Sequence, residues 1–300
     1  MKPLVVIAGP TACGKTAAGV HLAKRINGEI ISADSMQVYK YMDIGTAKPT
    51  HLQMQGVKHY LIDELMPDEE YSMAVFLQKA RGYAQEIYEK GKTPILVGGT
   101  GFYINAFING TEIIATHADV PFRDHLYAMA RDEGNEAVYK MLSEADPGAC
   151  EKIHPNNLKR VIRALEYFNQ TGRQISVHNQ EQKQKTAVYD MKFFILSMQR
   201  EKLYRRIEER IDEMMDSGLT DEVKMLLDRG YHPGLTSMKG LGYKELVPYV
   251  QGIISFQEAV DTLKRNTRHF AKRQVTWFRH QNNGVWIDID ESDKLDIIYR

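Results

Sequence analysis

The stretch Gly9-Pro10-Thr11-Ala12-Cys13-Gly14-Lys15-Thr16 limits what this chain can fold into more than any other. It reads Gly, four residues, then Gly-Lys-Thr, the spacing of a phosphate-binding loop. An apolar run over 4–8 precedes it, and a helical pattern through Ala17, Val20, Leu22 and Ala23 follows. A strand before and a helix after are the context the motif requires. Small residues let the backbone curl so that successive N–H groups converge on phosphate oxygens. The helix start adds the positive end of its dipole. Lys15 can reach a terminal phosphate, and Thr16 can offer its hydroxyl to a bound Mg²⁺. The motif alone does not say which phosphorylated compound binds.

The pattern beyond the loop predicts an α/β fold, a P-loop NTPase-like parallel sheet flanked by helices. Strands are expected at 4–8, 29–33, 59–63 and 93–97, with helices from Lys15 to about 26 and from 72 to about 90. In such sheets ligands lie beyond the carboxyl ends of the strands. That places Asp34, Ser35 and Gln37, at the end of the second strand, on the same edge as the phosphate loop. Gly98-Gly99-Thr100-Gly101 ends the strand 93–97, where paired glycines permit close approach by a ligand or by the loop, or simply make a tight turn. From 112 to 188 the chain turns helical and polar, with a capped, proline-started helix at Asp119-Val120-Pro121 and an exposed Gln/Glu/Lys run over 180–185. A buried strand returns at 191–196, followed by helices over 201–215, 220–227 and about 256–278 and an edge strand over 286–289. The economical organisation is a core of 1–111 and 189–300 carrying basic C-terminal helices, interrupted by an all-helical insertion over 112–188.

The 300 residues carry 39 basic and 39 acidic side chains, so any cationic surface must be local. Two cysteines, Cys13 and Cys150, make no disulfide framework. Cys13 reads as a small filler of the phosphate loop, since a thiolate there would oppose an anion. With no signal-peptide pattern and no apolar stretch of membrane-spanning length, the expectation is a cytoplasmic monomer with no membrane partner.

Three groups of residues can carry chemistry. Asp34 can bind magnesium, act as a general base or cap a helix. Ser35 is a secondary metal or water contact, and Gln37 can pair with adenine through its amide. Arg200, following the returning strand, can clamp a diphosphate, whereas Arg205, Arg206 and Arg210 share their helix with glutamates, with which several can form surface pairs, and they take no individual role from the sequence. The segment 263–280 has no acidic residue, and Arg265, Arg268 and Lys272 recur on one helical face. With Lys159, Arg160 and Arg163 in the insertion, these cations suit a polyanion or a merely solvated face. Trp277 and Phe278 read as core.

Further stretches form an ordered set: 34–39, Asp43-Ile44-Gly45-Thr46-Ala47-Lys48-Pro49, 98–101, 160–166, 242–245 and Ala271-Lys272-Arg273-Gln274-Val275-Thr276-Trp277. Together with the phosphate loop, this set resembles the bacterial tRNA dimethylallyltransferase family, over essentially the whole chain. The resemblance implies transfer of a dimethylallyl group from dimethylallyl diphosphate to the exocyclic amine of adenosine 37, in tRNAs reading codons that begin with U. It implies Asp34 as the base and Thr100 as a donor near the bridging oxygen. Lys15, Arg200 and Mg²⁺ on Thr16 would face the diphosphate, with Gly9, Thr11, Ala12, Cys13 and Gly14 forming its cradle. Ser35, Gln37, Lys159, Arg160, Arg163, Arg268, Lys272, Arg273 and Gln274 are implied on the side of the tRNA anticodon arm. A small-molecule P-loop kinase, an ATP-driven nucleic-acid motor and a free-adenylate prenyltransferase remain as alternatives. The motor is weakened by the lack of an apolar run ending in an acidic pair, and a free nucleotide would not require the basic helices.

Overall fold

The computed structural model describes residues 1–112, 119–183, 188–280 and 284–290. Strand β1 (Lys2–Ala8) runs into the phosphate loop and then α1 (Lys15–Arg25). The helix starts where Gly14 takes a left-handed φ of 80°, a conformation that costs glycine nothing. It is followed by β2 (Gly28–Ser32), a short α2 (His51–Met54), β3 (His59–Tyr60), α3 (Met73–Glu89), β4 (Thr93–Gly98) and α4 (Gly101–Ile108). Ser72 caps α3 by accepting the Val75 N–H at 3.4 Å.

Residues 109–187 form a separate helical unit. It contains α5 (Val120–Glu133), α6 (Asn135–Ala145), α7 (Pro147–Cys150), α8 (Leu158–Thr171) and α9 (Ile175–Lys183). Asp119 accepts the Phe122 N–H at 3.0 Å, so the expected cap and early proline do start α5. Leu126, Val138, Leu142, Val161, Ile162 and Leu165 make this unit's own core. Beside that core the fully buried Glu166 accepts the Arg123 guanidinium at 2.7 and 2.8 Å, Arg163 at 2.6 Å and the Asp119 N–H at 2.9 Å. The polar run 180–185 falls partly in α9, with Gln180 and Glu181 exposed as expected; 184 and 185 lie outside the described residues.

The chain then returns to the first unit, which comprises 1–108 and 188–300. It adds β5 (Tyr189–Ser197), α10 (Arg200–Asp216), α11 (Leu219–Asp228), α12 (Tyr243–Val250), α13 (Phe256–Arg279) and the edge strand β6 (Val285–Asp288). All strand pairs are parallel, in the order β3-β2-β4-β1-β5-β6. Strand β1 lies between β4 and β5, with Val6 in register with both Leu96 and Phe193. The carboxyl ends of three neighbouring strands therefore converge around the phosphate loop. Val5, Ile7, Val20, Leu22, Ile30, Ile95, Val97 and Leu196 pack together where α1 covers the sheet. Each such side chain stabilises the fold by about 1.5–3 kcal/mol. No helix among the described residues is long and apolar enough to cross a membrane.

Candidate active site

The phosphate loop lines a cavity of about 690 Å³ at the carboxyl edge of the sheet, with Thr11 through Thr16 on its wall. Lys15 Nζ donates to the Pro10 carbonyl at 2.6 Å and lies 4.0 Å from Cys13 Sγ, so the ammonium is folded along its own loop. Cys13 is fully buried, and that burial pushes its thiol up against the opposing pull of Lys15. A neutral, space-filling Cys13 fits the sequence reading.

Asp34 and Gln37 face the same cavity from the end of β2. Asp34 Oδ1 accepts the Met36 N–H at 2.8 Å and the Gln37 N–H at 3.3 Å. Oδ1 thus holds a turn, and no helix starts here for Asp34 to cap. Gln37 Nε2 donates to the carbonyls of Thr46 and Ala47, each at 3.3 Å, while its Oε1 accepts the Ser32 hydroxyl at 3.2 Å. With its nitrogen so engaged, the amide offers a base its oxygen rather than a bidentate pair. A second cavity of about 340 Å³ shares Thr11, Asp34, Thr46, Arg210 and Phe270 with the first. Ser35, Thr100 and Arg273 line this second cavity, beside the apolar side chains of Ile207, Ile211, Met214 and Leu263.

The arginines differ from the sequence expectation. Arg200 is exposed at the start of α10, its guanidinium 5.1 Å from the Tyr204 ring centroid, and it does not line either cavity. Arg206 and Arg210, to which the sequence assigned no individual role, line the same cavity as the phosphate loop, together with Glu209 and Glu213. Burial pulls the Arg210 guanidinium below its ordinary value, while Asp34 and Glu213 favour its charged form. The missed signal lies in the stripe of buried Leu203, Ile207 and Ile211, which fixes how α10 faces inward. Residues 206, 210 and 213 flank that stripe at helical spacing.

The glycines after β4 serve packing. A Cβ on Gly99 would fall 2.3 Å from Gln274 Nε2, and one on Gly101 would fall 2.2 Å from the Trp277 ring. Gln274, expected on the RNA side, is buried; it accepts the Thr11 N–H at 2.9 Å and donates to the Gly99 carbonyl at 3.0 Å. It ties α13 to both loops of the site. Trp277, expected in the core, is 38% exposed, whereas Phe278 is buried. Trp277 lines a cavity of about 620 Å³ along α13 with His269, Lys272, Arg273, Thr276 and His280. The cationic face of α13 is partly neutralised. Arg268 pairs with Glu208, and Lys264 lies 2.6 Å from Asp212, both acids on α10. In the helical unit, Lys159 and Arg160 are exposed, whereas Arg163 pairs with Glu166.

Among the described residues, no group of three or more His, Cys, Asp or Glu side chains is placed to hold a metal. The donor set at the loop is the Thr16 hydroxyl, with Asp34, Glu209 and Glu213 on the same cavity wall. That set fits Mg²⁺, which keeps several waters and takes its remaining ligands from a substrate's phosphates rather than from a protein cage.

The family model described as IPP transferase matches residues 37–281. The chain is 52% identical over 287 residues to a tRNA dimethylallyltransferase of Lachnoclostridium phytofermentans, covering 96% of this chain and 92% of that protein. The crystal structure of a full-length tRNA isopentenylpyrophosphate transferase from Bacillus halodurans superposes with a TM-score of 0.75 at 46% identity, covering 100% of this chain and 95% of the other. A eukaryotic dimethylallyltransferase acting on tRNA gives a TM-score of 0.83 at 29% identity, over 99% of this chain and 76% of the other.

Proposed function

This chain belongs to the IPP transferase family, and from that premise we propose that it transfers the dimethylallyl group of dimethylallyl diphosphate to the exocyclic amine of adenosine 37 in tRNA. The substrates are tRNAs reading codons that begin with U, and the products are isopentenyladenosine and pyrophosphate. One observation carries the reading on the structural side. The phosphate loop and Asp34 open on one cavity, and Asp34 also opens on a second that carries an apolar patch of Ile207, Ile211, Met214 and Leu263. An anionic leaving group and a base for the nucleophile can therefore sit on opposite sides of the reacting carbon.

The exocyclic amine is a weak nucleophile because its lone pair is delocalised into the purine. Its nitrogen bonds to the allylic carbon as the carbon–oxygen bond breaks, and pyrophosphate leaves with the electron pair. Asp34 Oδ2 takes the proton released from the amine. Lys15, Arg206, Arg210 and the loop N–H groups face the charge that grows on the leaving oxygen. Thr100 contributes a hydroxyl to the same cavity system. Mg²⁺ would be held by the Thr16 hydroxyl together with the diphosphate, and it supplies neutralisation of phosphate charge. Ile207, Ile211, Met214 and Leu263 keep water from the allylic carbon. Ser35 and Gln37 meet the flipped base; flipping costs a few kcal/mol and is cheapest in a loop. Lys272 and Arg273, with Lys159 and Arg160 of the helical unit, grip the anticodon arm by its backbone. The protein acts as a monomer.

The test is a transfer assay with Mg²⁺, unmodified tRNA and radiolabelled dimethylallyl diphosphate, with AMP and ATP offered separately. Label in one adenosine beside the anticodon is the expected result. Label in AMP would replace the reading with free-nucleotide prenyl transfer. Phosphate release from ATP without any transfer would return the protein to the P-loop kinases.

A further inference from the structure

The backbone of residues 43–45 is held by one buried carboxylate. Glu222, on α11 and 8% exposed, accepts the N–H groups of Asp43 at 2.9 Å and Ile44 at 2.8 Å on Oε2. Its Oε1 accepts the Gly45 N–H at 3.0 Å and the buried Tyr243 hydroxyl at 2.7 Å. Successive backbone N–H groups curled around an anion form a nest, here filled by the protein's own side chain. The turn closes on itself through Thr46 Oγ1 to the Met42 carbonyl at 2.6 Å and the Ala47 N–H to the Ile44 carbonyl at 2.9 Å. The Tyr243 ring presses on this turn; a Cβ on Gly45 would fall 2.6 Å from ring Cζ.

The free carbonyls of this turn decide how Gln37 is oriented. Thr46 and Ala47 accept both protons of its amide nitrogen, at 3.3 Å each. The amide oxygen, already accepting from Ser32 at 3.2 Å, keeps a second lone pair. An acceptor in that position suits an exocyclic amine and opposes a ring carbonyl. Were the turn to relax, the amide could rotate and present its NH₂ instead.

We propose that Glu222, held by Tyr243, is a positioning residue for the acceptor base: it clamps residues 43–45 so that the turn fixes Gln37 with its oxygen toward adenine. It thereby contributes to choosing a purine with an amine over one with a carbonyl. The proposal rests on the prenyl-transfer reading. Every group around the carboxylate is a donor, so Glu222→Gln keeps the size but turns an NH₂ against donors. Tyr243→Phe removes one bond and introduces no such clash.

The experiment uses the full chain and its two variants in the transfer assay, varying each substrate in turn. It also measures binding of two synthetic anticodon-arm hairpins, carrying adenosine or inosine at the acceptor position. Wild-type protein is expected to transfer label and to prefer the adenosine hairpin. Glu222→Gln should raise KM for tRNA about 10-fold, leave KM for dimethylallyl diphosphate within about 2-fold, and lower the hairpin preference about 10-fold. Tyr243→Phe should lower that preference about 3-fold while the chain stays folded, its melting temperature falling by only a few degrees. It decides the question alone if Glu222→Gln does not fold. An unchanged preference in a folded variant, or equal rises in both KM values, would overturn the clamp. No transfer by the wild-type protein would instead overturn the prenyl-transfer reading itself.

Discussion

On the proposed reading Asp34 combines a structural and a catalytic role, which a single substitution can separate. Its Oδ1 holds the turn through Met36 and Gln37, and an asparagine can accept those two N–H groups through its own carbonyl oxygen. Asp34→Asn therefore removes the base and spares the turn. It should lower kcat at least ~100-fold while tRNA affinity stays within about 2-fold. Asp34→Ala loses both roles and should also weaken tRNA binding, so comparing the two by single turnover and filter binding separates chemistry from architecture. The arginines of α10 give a second contrast. Arg210 faces the phosphate loop across the cavity, whereas Arg200 lies against Tyr204. Arg210→Ala should lower kcat/KM for dimethylallyl diphosphate about 100-fold, and Arg200→Ala less than about 3-fold. Equal losses would place Arg200 back at the diphosphate.

At the scale of elements, the helical unit is joined through Glu166, which receives α5 and its own helix α8 on one carboxylate. Burial acts to raise its pKa, but hydrogen bonds from Arg123, the Asp119 N–H and Arg163 outweigh this and leave it below its ordinary value of 4.5. A carboxylate lowered in the folded state stabilises above its unfolded pKa, and the contribution is lost as pH falls through the folded value. Thermal unfolding of the full chain should therefore show Glu166→Gln less stable near pH 7, by about 3 kcal/mol. The gap between variant and wild type should close as pH is lowered below about 4.5. A gap independent of pH would mean that packing, not charge, sets the loss.

For the whole molecule, the formal charge is zero, so RNA affinity must come from local cations and must respond to salt. Lys272 and Arg273 are exposed on α13, and Lys159 and Arg160 are exposed on α8. Arg268 and Lys264, by contrast, face acids of α10. Lys272→Ala should reduce the slope of log affinity against log salt by about 0.7–0.9, and the Lys159→Ala/Arg160→Ala pair by about twice that. Arg268→Ala should change the slope little and act on stability instead. Binding titrations from 50 to 300 mM salt check all three, and a salt-independent loss at Lys272 would rule out a simple backbone contact.

The sequence by itself determined the phosphate loop, the parallel sheet around it and the capped start of α5. Each of these rests on local chemistry: apolar runs bounded by glycine, a donor-rich curl before a helix, an Asp three residues ahead of its N–H partner. Only the tertiary structure decided which cations line the cavity. Arg206 and Arg210 share a helix with Arg200, and spacing alone gives them no distinction; the packing of Leu203, Ile207 and Ile211 rotates the first two into the cavity and leaves the third outside. The same holds for Gln274, Trp277 and Glu222, whose partners lie far away in the chain. A side chain's propensity is written within a few residues of it, but whether it meets a phosphate, a base or a backbone turn depends on what folding brings opposite.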